Sequence, residues 1–339
     1  MAMNSNATQL QTAPQRKKRA GNWLTHLILA LGGAVLIYPL IFSFLVGFFT
    51  TYEFATRKSD TLFPWPQHPT LRNYTMFFTS DKTIFDLPSE EATKGRIRID
   101  TASVGSVLNY GPQILTNSVL RTVYMTVLAV LTSLLGGYAF SRLKWKGRDK
   151  VFLLLLTTQM VPGVVSFIPQ FVELHRWPLA GGNNIFGMGG HGLYNTFGVY
   201  LFTFCALNVM GTFLVRQSLL RTPMELDEAA RVDGASTFRI IFSLLAPLQK
   251  PVLAYIAITT AIGNWNDWMV PFFFTNDERL LTLPGGITRI IAMFTVKQDT
   301  PNYPMIITLG MALTIPSLII LALFQKYMVE GLANTGIKG

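Results

Sequence analysis

Charged side chains are scarce in this chain: they make up 14% of it, against 50% apolar residues. An average soluble domain carries about a quarter charged residues, so the deficit argues against an ordinary water-soluble fold. Cysteine is almost missing. Cys205 is the one thiol in 339 residues, which excludes an internal disulfide and any cysteine-based zinc site. The four histidines, His26, His68, His175 and His191, are scattered and lack paired carboxylates, so spacing alone assembles no metal centre or acid–base constellation of an enzyme. G-x-x-x-x-G-K-[ST] occurs nowhere, and the chain is expected to have no ATPase site of its own.

What the sequence does have is long apolar runs. A helix needs about 20 apolar residues to cross a bilayer, and six candidates appear, at roughly 23–49, 114–140, 151–174, 196–216, 252–274 and 304–325. The formal charge of +10 raises nucleic acid as a partner, but the basic residues sit beside span ends and form no single face, so none is expected. Their distribution gives an orientation instead. Arg16, Lys17, Lys18 and Arg19 precede the first span; Arg142, Lys144, Lys146, Arg148 and Lys150 follow the second; Arg216, Arg221, Arg231, Arg239 and Lys250 follow the fourth; Lys326 and Lys338 follow the sixth. That is 16 on one side, against Arg121, Arg176, Arg279, Arg289 and Lys297 on the other, if the long loop 50–112 is left out. The richer side, with both termini, is expected to be cytoplasmic. Residues 1–15 lack periodicity and read as a polar tail ahead of an uncleaved anchor span.

One polar stretch interrupts the second half, RTPMELDEAARVDGASTFRIIFSLLAPLQKP from Arg221 to Pro251. Thr222, Pro223 and Glu225 predict a capping box opening a helix of about three turns, and Gly234 is placed to end it. Ser236 can cap a second helix carrying Phe238, Ile240, Ile241 and Leu244, which Pro247 is expected to stop. Glu228-Ala229-Ala230, followed by Asp233-Gly234-Ala235, resembles the EAA loop of the membrane subunits of binding-protein-dependent ABC importers. The resemblance implies a coupling loop, 217–251, whose small Ala229 and Ala230 let backbone approach a groove of a separate ATPase subunit, with Glu228 offering its carboxylate.

Other stretches resemble the carbohydrate-uptake branch of that family, which includes the smaller permease of the maltose importer. Leu71 to Phe78, LRNYTMFF, resembles its segment ahead of the second span; Thr116 to Asp149 resembles the second span itself, with Gly136, Gly137 and Ala139 allowing close helix packing. In the third span Pro162 and Pro169 suggest a bend. The fifth holds Asn264, Trp265, Asn266, Asp267 and Trp268, polar groups that are costly in a membrane unless they face protein or water. Carboxylate and amides suit solute hydroxyls and indoles suit the C–H face of a sugar ring, so these five are the candidate substrate path; glue between helices is the competing reading. Asn264 to Ile287 also resembles the W-N-E-F…TLP-G segment of sugar permeases, with Asp267 where Glu is common. Leu323 to Gly339 resembles the same permeases' ending. Gly187, Gly189 and Gly192 spell G-x-G-x-x-G, but flanking spans leave no βαβ unit for it and a flexible outer loop is expected.

The resemblance implies an all-α membrane protein of the type-1 ABC importer permease fold, with a basic tail at 1–22, an outer loop at 50–112, a permease core at 113–325 and a cytoplasmic tail at 326–339. It implies a sugar importer in the cytoplasmic (inner) membrane, with a second permease subunit, two ATPase subunits that use ATP, an extracytoplasmic solute-binding protein and lipid as partners. Cofactors and metals are expected to be none in this chain. A permease for a non-sugar solute, or an ion-coupled secondary transporter with Asp267 as coupling carboxylate, remains open.

Overall fold

Gly111 to Ser141 forms one unbroken helix of 31 residues, about 46 Å long at 1.5 Å per residue, enough to cross a bilayer with length to spare. Pro112 opens it, where a missing N–H costs nothing, and Gly136 and Gly137 near its far end remove side-chain bulk where another helix must approach. This is the helix the others pack on. The computed structural model describes residues 20–56, 64–79, 106–202, 208–297 and 302–335; among them the fold is helical with no strand. The expected readings at Arg16–Arg19, in the 80–105 insert, at Cys205 and at Lys338 lie outside the described residues.

In chain order the helices are α1 (Ala20–Val46), α2 (Thr51–Thr56), α3 (Arg72–Thr79), α4 (Gly111–Ser141), α5 (Arg148–Thr158), α6 (Gly163–His175), α7 (Gly198–Phe202) and α8 (Val209–Arg221). They continue with α9 (Glu225–Val232), α10 (Thr237–Leu248, with a π-helical stretch at Ile240–Leu245), α11 (Lys250–Asn266), α12 (Met269–Phe274), α13 (Leu283–Lys297) and α14 (Tyr303–Thr335). Helix α4 packs against α8 and α11, α11 also against α14, and α14 against α1. Three helices are long and apolar enough to span a membrane unaided: Trp23–Val46, Gly111–Ser141 and Tyr303–Lys326. Most of α1 is exposed, as expected of a helix whose solvent is lipid.

The expected third and fifth spans are not continuous helices. Arg148–Thr158 and Gly163–His175 meet at 99° across Gln159–Pro162, with Pro162 in extended geometry at the start of α6; Pro169 is accommodated within that helix. In the fifth, α11 ends at Asn266, Asp267 is extended, and α12 resumes two residues later. The 252–274 stretch is therefore a helix, a break and a six-residue helix. Between it and the last helix lies α13, which sequence reading left as loop; Leu281 to Ile287 at its entry are all buried. The apolar span ends at Lys326, and α14 continues beyond it to Thr335.

Two polar staples order the segments after α1 and α6. Asn73 is buried and its side-chain amide donates to the carbonyls of Gly47 at 2.9 Å and Phe49 at 2.7 Å, stitching α3 to the end of α1. The glycine-rich stretch after α6 is tied, not flexible as expected: Asn183 Nδ2 donates to the carbonyls of His175 and Trp177, and Asn184 Oδ1 accepts from the amides of Phe186 and Met188. Gly187 and Gly192 have φ of 71° and 60°, so they serve a tight loop.

The α4–α8 contact is close at two glycines. A Cβ built on Gly137 would collide with the Val215 side chain, and one on Gly211 with Ser133. Gly137→Val should therefore force the helices apart at an overpacking cost of about 1–3 kcal/mol. Thermal unfolding of the purified protein in detergent checks this, and an unchanged melting temperature contradicts the close approach.

Candidate functional site

A cavity of about 530 Å³ opens where helices stop. One wall is continuous α4, which contributes Met125, Leu128, Ala129 and Thr132, spaced i, i+3, i+4, i+7 along a single face. Facing it, α11 contributes Thr260, Gly263, Asn264 and Asp267 in the same spacing. The remaining lining comes from helix ends: Thr158 and Gln159 at the end of α5, and Asn208 and Val209 at the start of α8. Broken helices expose backbone polar groups, which a membrane tolerates only where they line a cavity or are buried in protein. Asn208 handles part of this locally, its Oδ1 accepting from the amide of Gly211 at 2.9 Å.

Asp267 is the one charged residue among those lining the cavity. Its Oδ2 pairs with Nη2 of Arg121, whose side chain is 1% exposed, while Oδ1 accepts from the amides of Met269 at 3.0 Å and Val270 at 3.4 Å. One carboxylate thus neutralises a buried guanidinium and caps the restarted helix α12. The Tyr200 ring lies 5.2 Å from the same guanidinium, and its hydroxyl donates to the Leu280 carbonyl at 2.6 Å. Charge counting assigned Arg121 to the outer side. The structure corrects that: it sits ten residues inside α4 and is held there by its counter-ion.

The other residues expected along the path divide. Asn264 and Asp267 line the cavity. Trp265 is buried, its Nε1 donating to the Leu313 carbonyl on α14 at 2.9 Å, and Asn266 donates to Ser317 Oγ on the same helix at 3.1 Å. Trp268 is exposed and contacts Phe272 and Phe273. Sequence reading missed Thr132, Gln159, Asn208 and Thr260. Thr260 was discoverable, since it lies one turn before Asn264; Gln159 and Asn208 needed the helix breaks, and Thr132 needed the packing of α4.

The second candidate region is α9 together with α10. Glu228, Ala229, Asp233 and Gly234 are exposed, whereas Ala230 and Ala235 pack against a core of Leu134, Tyr138, Val215 and Leu219. Gly234 has φ of 78°, and the Ala235 amide returns to the Ala230 carbonyl at 2.9 Å, closing the helix as expected. The helix start differs from expectation. No capping box forms: Met224 precedes α9 without a side-chain cap, and Thr222 instead ends α8 and accepts from Gln249 Nε2 at 3.3 Å. Helix α9 thus has eight residues, about two turns. Ser236 does cap α10, accepting from the Arg239 amide at 3.4 Å, but Pro247 does not stop it. The π-helical turns before Pro247 carry the helix to Leu248, and the break comes at Gln249 with an 84° bend into α11. Val232, Phe238 and Phe242 are exposed, as is Glu228, and the two phenyl rings stack at 6.3 Å.

Fold and cavity together define a class: an all-helical membrane scaffold with a polar cavity at its helix breaks and a short helical loop projecting from one end. The chain belongs to the binding-protein-dependent transport system inner membrane component family, whose sequence pattern matches residues 129–333. Among curated proteins it is 30% identical over 226 residues to the arabinooligosaccharides transport system permease protein of Bacillus subtilis, covering 66% of this chain and 72% of that one. It is 29% identical to the trehalose/maltose transport system permease protein of Thermococcus litoralis, over 67% of this chain and 76% of the other. With the sn-glycerol-3-phosphate transport system permease protein of Rhizobium meliloti it shares 27% over 94% and 98% of the two chains. The fold is that of a chain in a crystal structure of a bacterial ABC transporter involved in the import of the acidic polysaccharide alginate (TM-score 0.62, 20% identity, 94% of this chain and 99% of that one).

Replacing Asp267 by Asn leaves Arg121 buried without a counter-charge. Removing one partner of a buried pair costs about 3–5 kcal/mol, so Asp267→Asn is expected to lower the melting temperature in detergent, and Asp267→Glu to retain most of it. Equal stability of Asp267→Asn and the parent contradicts the pairing.

Proposed function

We propose that this chain is one of two permease subunits of an ATP-driven importer that moves a sugar or oligosaccharide across the cytoplasmic membrane. The polar cavity at the helix breaks carries the reading. In it, six segments cross the membrane, the broken third and fifth among them, with both termini cytoplasmic. Burial of Arg121 takes one charge from the outer side and strengthens that orientation. ATP is hydrolysed by two separate ATPase subunits, a solute-binding protein delivers the solute from outside, and Glu228 with its exposed neighbours docks in an ATPase groove. Closure of the ATPases tilts the helices and exposes the cavity alternately to each side.

For the solute, the saccharide permeases among the relatives support a sugar, and the cavity supports an uncharged one: Thr132, Thr158, Gln159, Asn208, Thr260 and Asn264 offer hydrogen bonds, and no cation lines it among the described residues. The glycerol-phosphate relative favours a second reading, a phosphorylated polyol, which the lone carboxylate of Asp267 opposes by repulsion. Membership of a binding-protein-dependent family weighs against drive by an ion gradient.

The assembled complex in liposomes tests this, with ATP inside and neutral oligosaccharides or glycerol phosphate outside. ATP-dependent uptake of an oligosaccharide is expected; uptake of glycerol phosphate alone supports the second reading, and transport without ATP overturns both. Gly263 faces the cavity with open space around a built Cβ, so Gly263→Phe should fill the path without disturbing packing. Uptake is expected to fall about tenfold or more at unchanged melting temperature; undiminished uptake removes the cavity from the path. Glu228→Lys should leave the protein in the membrane and abolish coupling, and normal uptake by that variant refutes the docking role.

A further inference from the structure

We propose that Asp227, one residue before the glutamate, is the positioning residue that transmits movement of α9 to α4, through a buried ion pair with Arg142; this rests on the permease reading above. Asp227 is the one buried residue of α9, at 2% exposure, on a helix whose other residues are exposed apart from half-buried Ala230. Its Oδ2 lies 3.3 Å from Nε of Arg142, which ends α4, and both side chains are almost fully enclosed. Neither carboxylate oxygen accepts an aligned hydrogen bond from the described residues. A charge buried without such bonds depends on its counter-ion alone. Asp227 therefore serves Arg142 and not the capping of its own helix.

The polar contacts around this pair converge on the same end of α4. Arg142 Nη2 donates to the Thr222 carbonyl at 2.9 Å, just ahead of α9, and Arg231 Nη2 on α9 donates to the Tyr138 hydroxyl at 3.2 Å. Arg142 stands 21 residues beyond Arg121, about 32 Å along the axis. At that far position the Arg121–Asp267 pair ties α4 to the break in the fifth span and to the cavity. One continuous helix is thus held by ion pairs at two levels, at its end to the loop that carries α9 and ten residues inside its start to the cavity wall. A displacement of α9 cannot leave Asp227 behind without stranding two charges in protein, so α4 must follow.

The assembled complex in liposomes, with solute uptake and ATP hydrolysis measured together, tests the strap. Asp227→Asn keeps shape and removes charge; assembly and hydrolysis are expected to persist while solute moved per ATP falls at least about fivefold, the low end of typical coupling effects. Asp227→Arg combined with Arg142→Asp restores the pair in reverse and should recover the ratio. Wild-type stoichiometry in Asp227→Asn overturns the proposal, and so does a parallel loss of hydrolysis and uptake, which marks failed docking. If Asp227→Asn does not assemble, the exchanged pair decides: coupled transport supports the strap and an assembled but uncoupled complex overturns it. A wild-type complex with no ATP-dependent uptake defeats the permease reading itself, a result distinct from all of these.

Discussion

A charge inside a membrane protein has to find its opposite, and the structure is arranged around two such requirements on a single helix. Arg121 lies within the Gly111–Ser141 helix and Arg142 closes its end, and each is enclosed with one carboxylate. Leaving either unpaired in low dielectric is far more costly than any hydrogen bond nearby can offset. The consequence is positional: Asp267 must face Arg121, which sets where the break after α11 lies against α4, and Asp227 must face Arg142, which sets how the loop helix seats. Close packing supports both. Gly137 and Gly211 let α8 approach α4, and α11 lies along another side of the same helix.

Helix breaks supply what continuous helices cannot. A complete helix satisfies its own backbone and presents only side chains, so a bundle of intact spans offers little to a hydroxyl-rich solute. Here Gln159 follows the end of α5, Asn208 precedes α8 and Asp267 follows the end of α11, and the three discontinuities meet across one face of α4. The Gln159 and Asn208 amides and the Asp267 carboxylate at those ends join the polar side chains of α4 and α11 in the cavity. The same economy appears at Asp267, which closes one helix, starts the next and holds Arg121. Its carboxylate is therefore at once structural and displayed to the cavity.

Several local signals were legible because they act at short range. Gly234 and Ser236 behave as their chemistry predicts, since a left-handed residue and a hydroxyl cap need only their neighbours. The capping box at Thr222 failed because longer-range partners won: Thr222 lies between the end of α8, the Arg142 guanidinium and Gln249. Pro247 failed as a terminator because π-helical turns before it absorb the missing donor. Arg121 was misassigned for a related reason, as a count of basic residues near span ends cannot see a counter-ion 146 positions away.

The sequence by itself determined the all-helical membrane class and the transport family, and marked the helix–glycine–helix pattern around Gly234 and the polar Asn264–Trp268 segment as departures from plain apolar runs. Apolar length, glycine and proline act locally, so reading them requires no fold. Only tertiary structure decided that Trp265 turns into the core while Asn264 and Asp267 face a cavity, that Gln159 and Asn208 join them, and that Asp227 is buried while adjacent Glu228 is exposed. Those distinctions depend on which helix lies opposite, and that is fixed by pairing between charges and glycines far apart in the chain.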